Sequence, residues 1–436
     1  MIIVVIKSAL RNVVFFWLPL CLLGASLNFA LLRMFSGLPP KLAETSRDIA
    51  IYRRAGEAIL AGEVPYRDFF IEYPPGSLPA FVPPALFTES REAYAAFFAS
   101  EMALVLVAAL VFMAYAARTL GRWWLFPATV FTVAALLLYP IAVTRYDAIV
   151  ALTLAAATAL IIVPAYGGAR AATALTVAWA SLGFGAAAKL VPALATLPLA
   201  LLTDYREGAR TLKEAARGFA VFFGVMAVFF LPAFLFGGER FVESFTYHAN
   251  RGLQLESLTS SVLMKLGWLE GGILEYGAFD VRGRGVDFLS ALSLPLTVAL
   301  LVVTVAVMYR EHRNDRLEPE QFPRFAAALL LAFMLGFKVL SPQYVIWLLP
   351  LVPLSVGGAW GLGVSAVFLA ICWMTAQVYP YHYLEIVQGR PPGTDILLGR
   401  NLLLVILWAL MLSLPTGSKP AREPAEKPAV TKGGEP

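Results

Sequence analysis

Apolar runs of roughly membrane length alternate along the chain with short polar connections. A helix that crosses a bilayer needs about 20 apolar residues, and fewer where other helices enclose it. Candidate spans lie at 12–33, 95–117, 123–143, 147–164, 171–187, 190–203, 218–236, 287–309, 323–340, 343–356, 359–379 and 397–414. The count is about twelve, give or take two, because several runs are short and 171–203 also reads as one broken hairpin. The pattern predicts an all-α polytopic membrane protein with residues 1–414 as its membrane domain. Residues 415–436, rich in Pro, Lys, Glu and Gly, are expected to be a disordered tail.

Two polar stretches, 34–94 and 237–286, are too long to be turns. The first contains Thr45 to Pro75, a segment rich in both charge and aromatic rings. It predicts a short amphipathic helix over Asp48–Leu60, a turn at Ala61-Gly62, and an irregular segment ending in Tyr73-Pro74-Pro75-Gly76.

Composition agrees with the pattern. Hydrophobic residues make up 59% of the 436 and charged residues 14%, with a mean hydropathy of +0.73. Soluble domains carry about 25% charged residues, so a deficit spread over the whole length means an integral membrane protein. Aromatics at 13% and 29 prolines fit interfacial belts and broken helices. Cys21 and Cys372 both lie in apolar runs, which argues against a disulfide framework or a thiolate metal site. The net charge of +5 is no nucleic-acid signal, because most basic residues sit in short connections between spans. Lys7 and Arg11 precede the first apolar run as in a signal sequence. No small-x-small cleavage site follows, so this run reads as an uncleaved first span.

Charge sets the expected orientation. With the N-terminus in the cytoplasm, the cytoplasmic connections carry Arg118 and Arg122; Arg170; Arg206, Arg210, Lys213 and Arg217; Arg310, Arg313 and Arg316; and the tail lysines. Every one is basic, as the positive-inside rule requires. The opposite side receives 34–94, the Thr144–Asp147 turn, Lys189, 237–286, Ser341–Tyr344 and Tyr379–Tyr383. The segments that look chemical therefore converge on the extracytoplasmic face.

Each candidate has a structural reading beside its chemical one. Asp48, in Thr45-x-x-Asp48, is either a helix cap or a carboxylate that accepts a proton from an attacking hydroxyl. Asp68 and Glu72 hold substrate or face water. Tyr66 and Tyr73 fit interfacial aromatics. Arg145 and Asp147 either pair with each other to fix a turn, or Arg145 holds a phosphate. Lys189 and Lys338 are lone ammonium groups at the ends of apolar runs, where they snorkel or act on a ligand. Ser341, Gln343 and Tyr344 stand one turn from Lys338. In 247–257, if helical, His248, Arg251 and Leu255 share a face, and an Arg beside a His suits a phosphate clamp. The chain has no Walker loop, no GxGxxG, no HExxH and no Cys/His metal spacing. No cytoplasmic segment is long enough to hold a nucleotide-binding domain.

Six motifs occur in order: Asp48-Ile49-x-x-Tyr52, Pro65-Tyr66, Tyr73-Pro74-Pro75-Gly76, Arg145-Tyr146-Asp147, Arg251-Gly252-Leu253-Gln254-x-Glu256-Ser257 and Lys338-x-x-Ser341-Pro342-Gln343-Tyr344. Together they resemble glycosyltransferase family 87, over about residues 45–350. The resemblance implies a GT-C-type membrane fold. It also implies inverting transfer of a hexose, mannose in the related mannosyltransferases, from a polyprenyl-phosphate sugar. The acceptor is a hydroxyl of a glycolipid or glycan on the extracytoplasmic side. It makes Asp48 the base and implies neither a cofactor nor a metal. Arg251, His248 and Lys338, with Arg145 and Lys189 behind them, are the expected phosphate ligands. Tyr52, Tyr66, Asp68, Glu72, Tyr73, Asp147, Gln254, Glu256, Gln343 and Tyr344 are expected to position substrate. The expected partners are the bilayer, the donor and the acceptor, with the chain a monomer. The rival reading, a transporter or flippase of lipid-linked sugars, calls for mid-span charges and related halves.

Overall fold

The structure is a computed structural model describing residues 12–37, 47–165, 171–202, 209–249, 251–275, 278–314 and 316–414. Its main helices are α1 (Leu18–Ser36), α2 (Arg47–Leu60), α3 (Arg91–Thr119), α4 (Leu125–Leu137), α5 (Asp147–Ala165) and α6 (Ala171–Ala188). They continue as α7 (Ala209–Gly237), α8 (Glu239–Ala249), α9 (Val286–Arg313), α10 (Phe322–Gly336), α11 (Gly358–Ala376) and α12 (Gly393–Ser413). Among the described residues six helical stretches are long and apolar enough to cross a membrane: Val13–Ser36, Arg91–Thr119, Leu212–Gly237, Val286–Arg313, Gly358–Tyr381 and Gly393–Ser413. The other predicted spans fall on the shorter helices α4, α5, α6 and α10 and on the broken segments Val191–Leu202 and Pro342–Leu354. The Thr45 capping motif and the tail lie outside the described residues.

Proline and burial explain the short segments. Pro140, Pro192 and Pro342 each begin a new turn, where their missing N–H costs nothing. The 3-10 turns Val191–Ala195 and Pro342–Leu348 carry two of these prolines at their N-terminal ends. Irregular backbone at membrane depth is tolerated where protein surrounds it, and Val345–Leu349 are fully buried. α5 packs between α3 and α6, and α6 between α5 and α7. Buried alanines at 151, 155, 157, 186 and 187 line these contacts, and small side chains are what allow membrane helices to approach closely.

One end of the bundle carries the long polar segments. α2 runs as predicted and stops at Gly62, whose φ is +88°. There Glu63 N–H donates to the Ala58 carbonyl at 2.9 Å, closing the helix end. Residues 237–286 hold α8, a short helix Leu258–Lys265, and an antiparallel hairpin of β1 (Leu269–Glu275) and β2 (Ala278–Gly283). The hairpin is absent from the sequence reading, because its glycines and charges mask the alternation of strand positions. The conditional helix over 247–257 does not form either. α8 ends at Ala249, and Leu253–Leu255 lie extended along β2, with Leu255 N–H to Phe279 O at 2.8 Å and Val281 N–H to Leu253 O at 2.9 Å. His248, Arg251 and Leu255 therefore share no helical face. Backbone partners on β2 outweigh the local helix pattern.

Candidate active site

The site is organised around the first turn of α2. Asp48 Oδ1 accepts the Tyr73 O–H at 2.6 Å, and Asp48 Oδ2 pairs with Arg145 Nη2 at 2.8 Å. The Asp48 side chain is 27% exposed and that of Arg145 10%. Among the described residues, the partners of Asp48 are these two side chains. Close packing sets α2 in place. A Cβ on Gly56 would lie 2.2 Å from the Phe81 carbonyl oxygen, so a side chain there would push α2 away. Tyr52 is buried and stacks on Phe81 with ring centroids 4.3 Å apart. Tyr73 and Tyr146 meet Tyr52 edge-on at 5.3 and 5.9 Å. Such ring pairs contribute about 0.5–1.5 kcal/mol each beyond area burial. Burial, and then the charge of Asp48, push the Tyr52 and Tyr73 phenols far above their usual range. Tyr73 thus stays protonated and remains a donor.

The Tyr73-Pro74-Pro75-Gly76 motif forms the wall opposite α2. A Cβ on Gly76 would lie 2.4 Å from the Ala187 carbonyl carbon, so only glycine lets this turn meet the end of α6. Tyr66 is fully buried instead of lying at the interface as expected. Its φ is +66°, an uncommon value for a bulky residue. Its hydroxyl donates to the Tyr73 carbonyl at 2.6 Å, and its ring meets Phe241 of α8 edge-on at 5.2 Å. Tyr66 thus ties the first polar stretch to the second. Asp68 accepts from Val64 N–H at 2.7 Å and from Arg67. The Arg67 hydrogen bond, with that of Val64, holds its carboxyl at about 2, and Asp68 stabilises its own turn.

Arg145 and Asp147 do not pair with each other. Arg145 turns to Asp48, while Asp147 Oδ1 accepts from Lys189 Nζ and Trp347 Nε1, each at 2.7 Å. The Lys189 ammonium faces the rings of Tyr146, Tyr344 and Trp347 at 5.1, 5.2 and 5.3 Å, a favourable setting for a cation. The tripeptide 145–147 therefore places two cation–carboxylate pairs on either side of Tyr146. Burial separates the two carboxylates: Asp147 is 1% exposed and out of reach of substrate.

A third group comes from the extended segment. Gln254 N–H donates to the Lys338 carbonyl at 2.9 Å, Leu340 N–H donates to Gln254 Oε1 at 2.7 Å, and Gln254 Nε2 donates to Ser341 Oγ at 3.3 Å. Gln254 is 3% exposed and fastens two motifs that lie far apart in the chain. The Lys338 ammonium donates to the Arg251 carbonyl, and Gly252 N–H donates to the buried Asp280 at 3.0 Å. Gln343 and Tyr344 are half-buried in the following turn, with Tyr344 stacked on Trp347 at 4.2 Å. His248 falls in the last turn of α8, and its side chain is outside the described residues.

Glu256 lies below this segment, 1% exposed. Burial pushes its carboxyl up to about 7, against Arg400 and a hydrogen bond with Tyr383. Its carbonyl accepts from Arg400 Nη2 at 3.0 Å and Asn401 Nδ2 at 3.3 Å, both on α12. Arg400, Asn401 and Trp347 are missing from the sequence reading, which names Tyr383 only within the outer segment Tyr379–Tyr383. Arg400-Asn401 carries a usable signal, a charge inside the apolar run 397–414. Trp347 carries none, since its partner is 200 residues away.

Beside α2 a cleft of about 610 Å³ is lined by Arg47, Ile51, Arg54, Phe70, Glu72 and Tyr247, among others. Burial pushes the Glu72 carboxyl up, and the nearby charge of Asp48 adds to this. No cluster of His, Cys, Asp and Glu suited to a metal occurs among the described residues. The site presents one partly exposed carboxylate, Asp48, with Arg145 and Lys189 on either side of Tyr146 and Lys338 held to the Arg251 carbonyl.

Comparison with known proteins adds a family. The sequence model of glycosyltransferase family 87 matches residues 70–342, more than half of the chain. The match contains Tyr73, Arg145, Lys189, Arg251 and Lys338, and begins after α2, so Asp48 lies outside it. A search of the curated proteins finds no match to the sequence. Two solved structures are similar in shape. Cupriavidus metallidurans ArnT in the apo state is 13% identical, with 84% of this chain and 71% of that one covered and a TM-score of 0.45. The same protein bound to undecaprenyl phosphate is 13% identical, with 90% and 76% covered and a TM-score of 0.47.

Proposed function

We propose a reaction for this chain, which belongs to glycosyltransferase family 87: transfer of a hexose from a polyprenyl-phosphate sugar to an acceptor hydroxyl, with inversion. The chain is a multi-pass membrane glycosyltransferase. The observation that carries the proposal is the partly accessible Asp48 carboxylate, held at 2.6 Å by Tyr73 and 2.8 Å by Arg145 among several cations. Asp48 takes the proton of the acceptor hydroxyl as the oxygen attacks the anomeric carbon from the face opposite the phosphate. The new glycosidic C–O bond forms as the bond from the anomeric carbon to the phosphate oxygen breaks, and polyprenyl phosphate leaves. Lys189, Arg145, Arg251 and Lys338 stabilise the charge that grows on the departing phosphate. The cleft beside α2, with Glu72 on its wall, supplies the acceptor side.

The resemblance to polyprenol-phosphate-mannose-dependent enzymes makes mannose the first donor to try. The basic connections between spans support a site on the extracytoplasmic face and cytoplasmic termini. Leu190, exposed and next to Lys189 in the chain, offers an apolar surface for the lipid chain. The test is to incubate purified protein with labelled polyprenyl-phosphate hexoses and a lipid extract. Label appearing on a lipid or glycan supports the reading. Movement of donor between leaflets without any transfer overturns it in favour of a flippase.

A further inference from the structure

Both oxygens of the proposed base are engaged. Tyr73 donates to Oδ1 at 2.6 Å and Arg145 pairs with Oδ2 at 2.8 Å. The two contacts are unlike in kind. A neutral phenol orients the carboxylate and leaves its charge in place. A guanidinium occupies Oδ2 and holds it away from an incoming hydroxyl. The Arg145 side chain is 10% exposed, in a setting where an ion pair is weakly screened. Arg145 also stands next to Tyr146, against which Lys189 rests at 5.1 Å, so the second cation of the site is close by. The Arg145 guanidinium pairs with the base, and the buried Glu256 feels the charge of both Arg145 and Arg251.

We propose that Arg145 acts as a switch, pairing with Asp48 as it does here and transferring that pairing to the donor phosphate, which frees the base only when donor is bound. The inference rests on the reaction proposed above and follows from its charge balance. During transfer Asp48 loses its negative charge by taking the acceptor proton. The phosphate, a diester with one negative charge in the donor, gains a second as it leaves. The negative charge facing Arg145 thus moves from one side of the guanidinium to the other, and Arg145 follows it. Base activation without donor is suppressed by the same contact. Lys189, fixed to the buried Asp147, does not exchange partners and serves as the constant cation of the site.

The test is a double-mutant cycle read by binding of a polyprenyl phosphate to the full-length protein in lipid nanodiscs. In the wild type, Asp48 competes with the lipid phosphate for Arg145. Asp48→Asn is therefore expected to tighten binding, by about five- to a hundredfold for a coupling of ordinary size. In an Arg145→Gln background the same Asp48→Asn change is expected to have much less effect. A through-space charge effect, or a purely structural Arg145, would give equal changes in both backgrounds, and that result overturns the proposal. Arg145→Lys, which keeps the charge, provides a second background in which the coupling should persist at reduced size. Loss of coupling there, with Arg145→Gln failing to fold, also overturns it. If the wild type binds no polyprenyl phosphate at all, the donor reading itself falls.

Discussion

A general base needs one oxygen within reach of substrate and a support that holds it still. Asp48 meets both conditions with 27% of its side chain exposed, while Asp147, at 1%, meets only the second. The charges themselves are legible in the sequence, Asp48 at a helix start in a polar stretch and Arg145, Asp147 and Lys189 beside apolar runs. Their pairing is not. Arg145 and Asp147 are neighbours in sequence, yet each chooses a partner from a distant segment, Asp48 and Lys189. Tyr73 illustrates the same limit. Its sequence setting suggests an interfacial ring, and burial makes it the donor that orients Asp48. Hydrogen bonds to charged groups contribute about 1.5–3 kcal/mol. Tyr73→Phe is therefore expected to lower kcat by about ten- to a hundredfold, with little change in donor KM. Unchanged turnover in steady-state assays would show that Tyr73 does not support the base.

At the scale of elements, hydropathy locates the membrane segments, because a run of apolar residues reports burial whether lipid or protein provides it. It does not report how a segment is broken. Val191–Leu202 and Pro342–Leu354 become short turns since their prolines interrupt the backbone ladder. The extended segment 253–255 is likewise invisible in sequence, because its partners are β2 and Lys338–Ser341. This latch ends on Glu256, which faces Arg400, Tyr383, Arg145 and Arg251. Its carboxyl is raised by burial to about 7, well above its ordinary value. The folded state therefore holds a proton that the unfolded chain releases. Stability from this group is complete below the ordinary carboxylate range and is lost as pH rises through about 7. The thermal midpoint of the wild type should fall as pH rises from the ordinary carboxylate range to about 7 and level off above it. Glu256→Gln, neutral throughout, should flatten that slope. An equal slope in the variant would show that Glu256 is not the group responsible.

For the whole molecule, the segments that hydropathy and charge assign to one side do meet at one end of the bundle. Asp48 contacts Arg145, Lys189 contacts Asp147 and Trp347, and Lys338 contacts Arg251. Family 87 membership, a helical membrane fold and this convergence agree with each other. The orientation of that end is testable in a background lacking Cys21 and Cys372. Single cysteines at Glu63, exposed after α2, and at Arg313, exposed at the far end of α9, report the two sides. A membrane-impermeant thiol reagent should label Glu63→Cys in intact cells and Arg313→Cys only after permeabilisation. The reverse pattern would invert the topology and place the site in the cytoplasm.

The central claim is that Asp48 removes the acceptor proton. Its most direct test is transfer from a labelled polyprenyl-phosphate hexose by purified Asp48→Asn protein, compared with wild type under single-turnover conditions. Asparagine keeps the shape and can still accept from Tyr73, but it cannot take the proton. The Asp48→Asn rate should be lower by about 10²–10⁴ in a protein that folds and inserts normally. A rate near that of the wild type would contradict the claim.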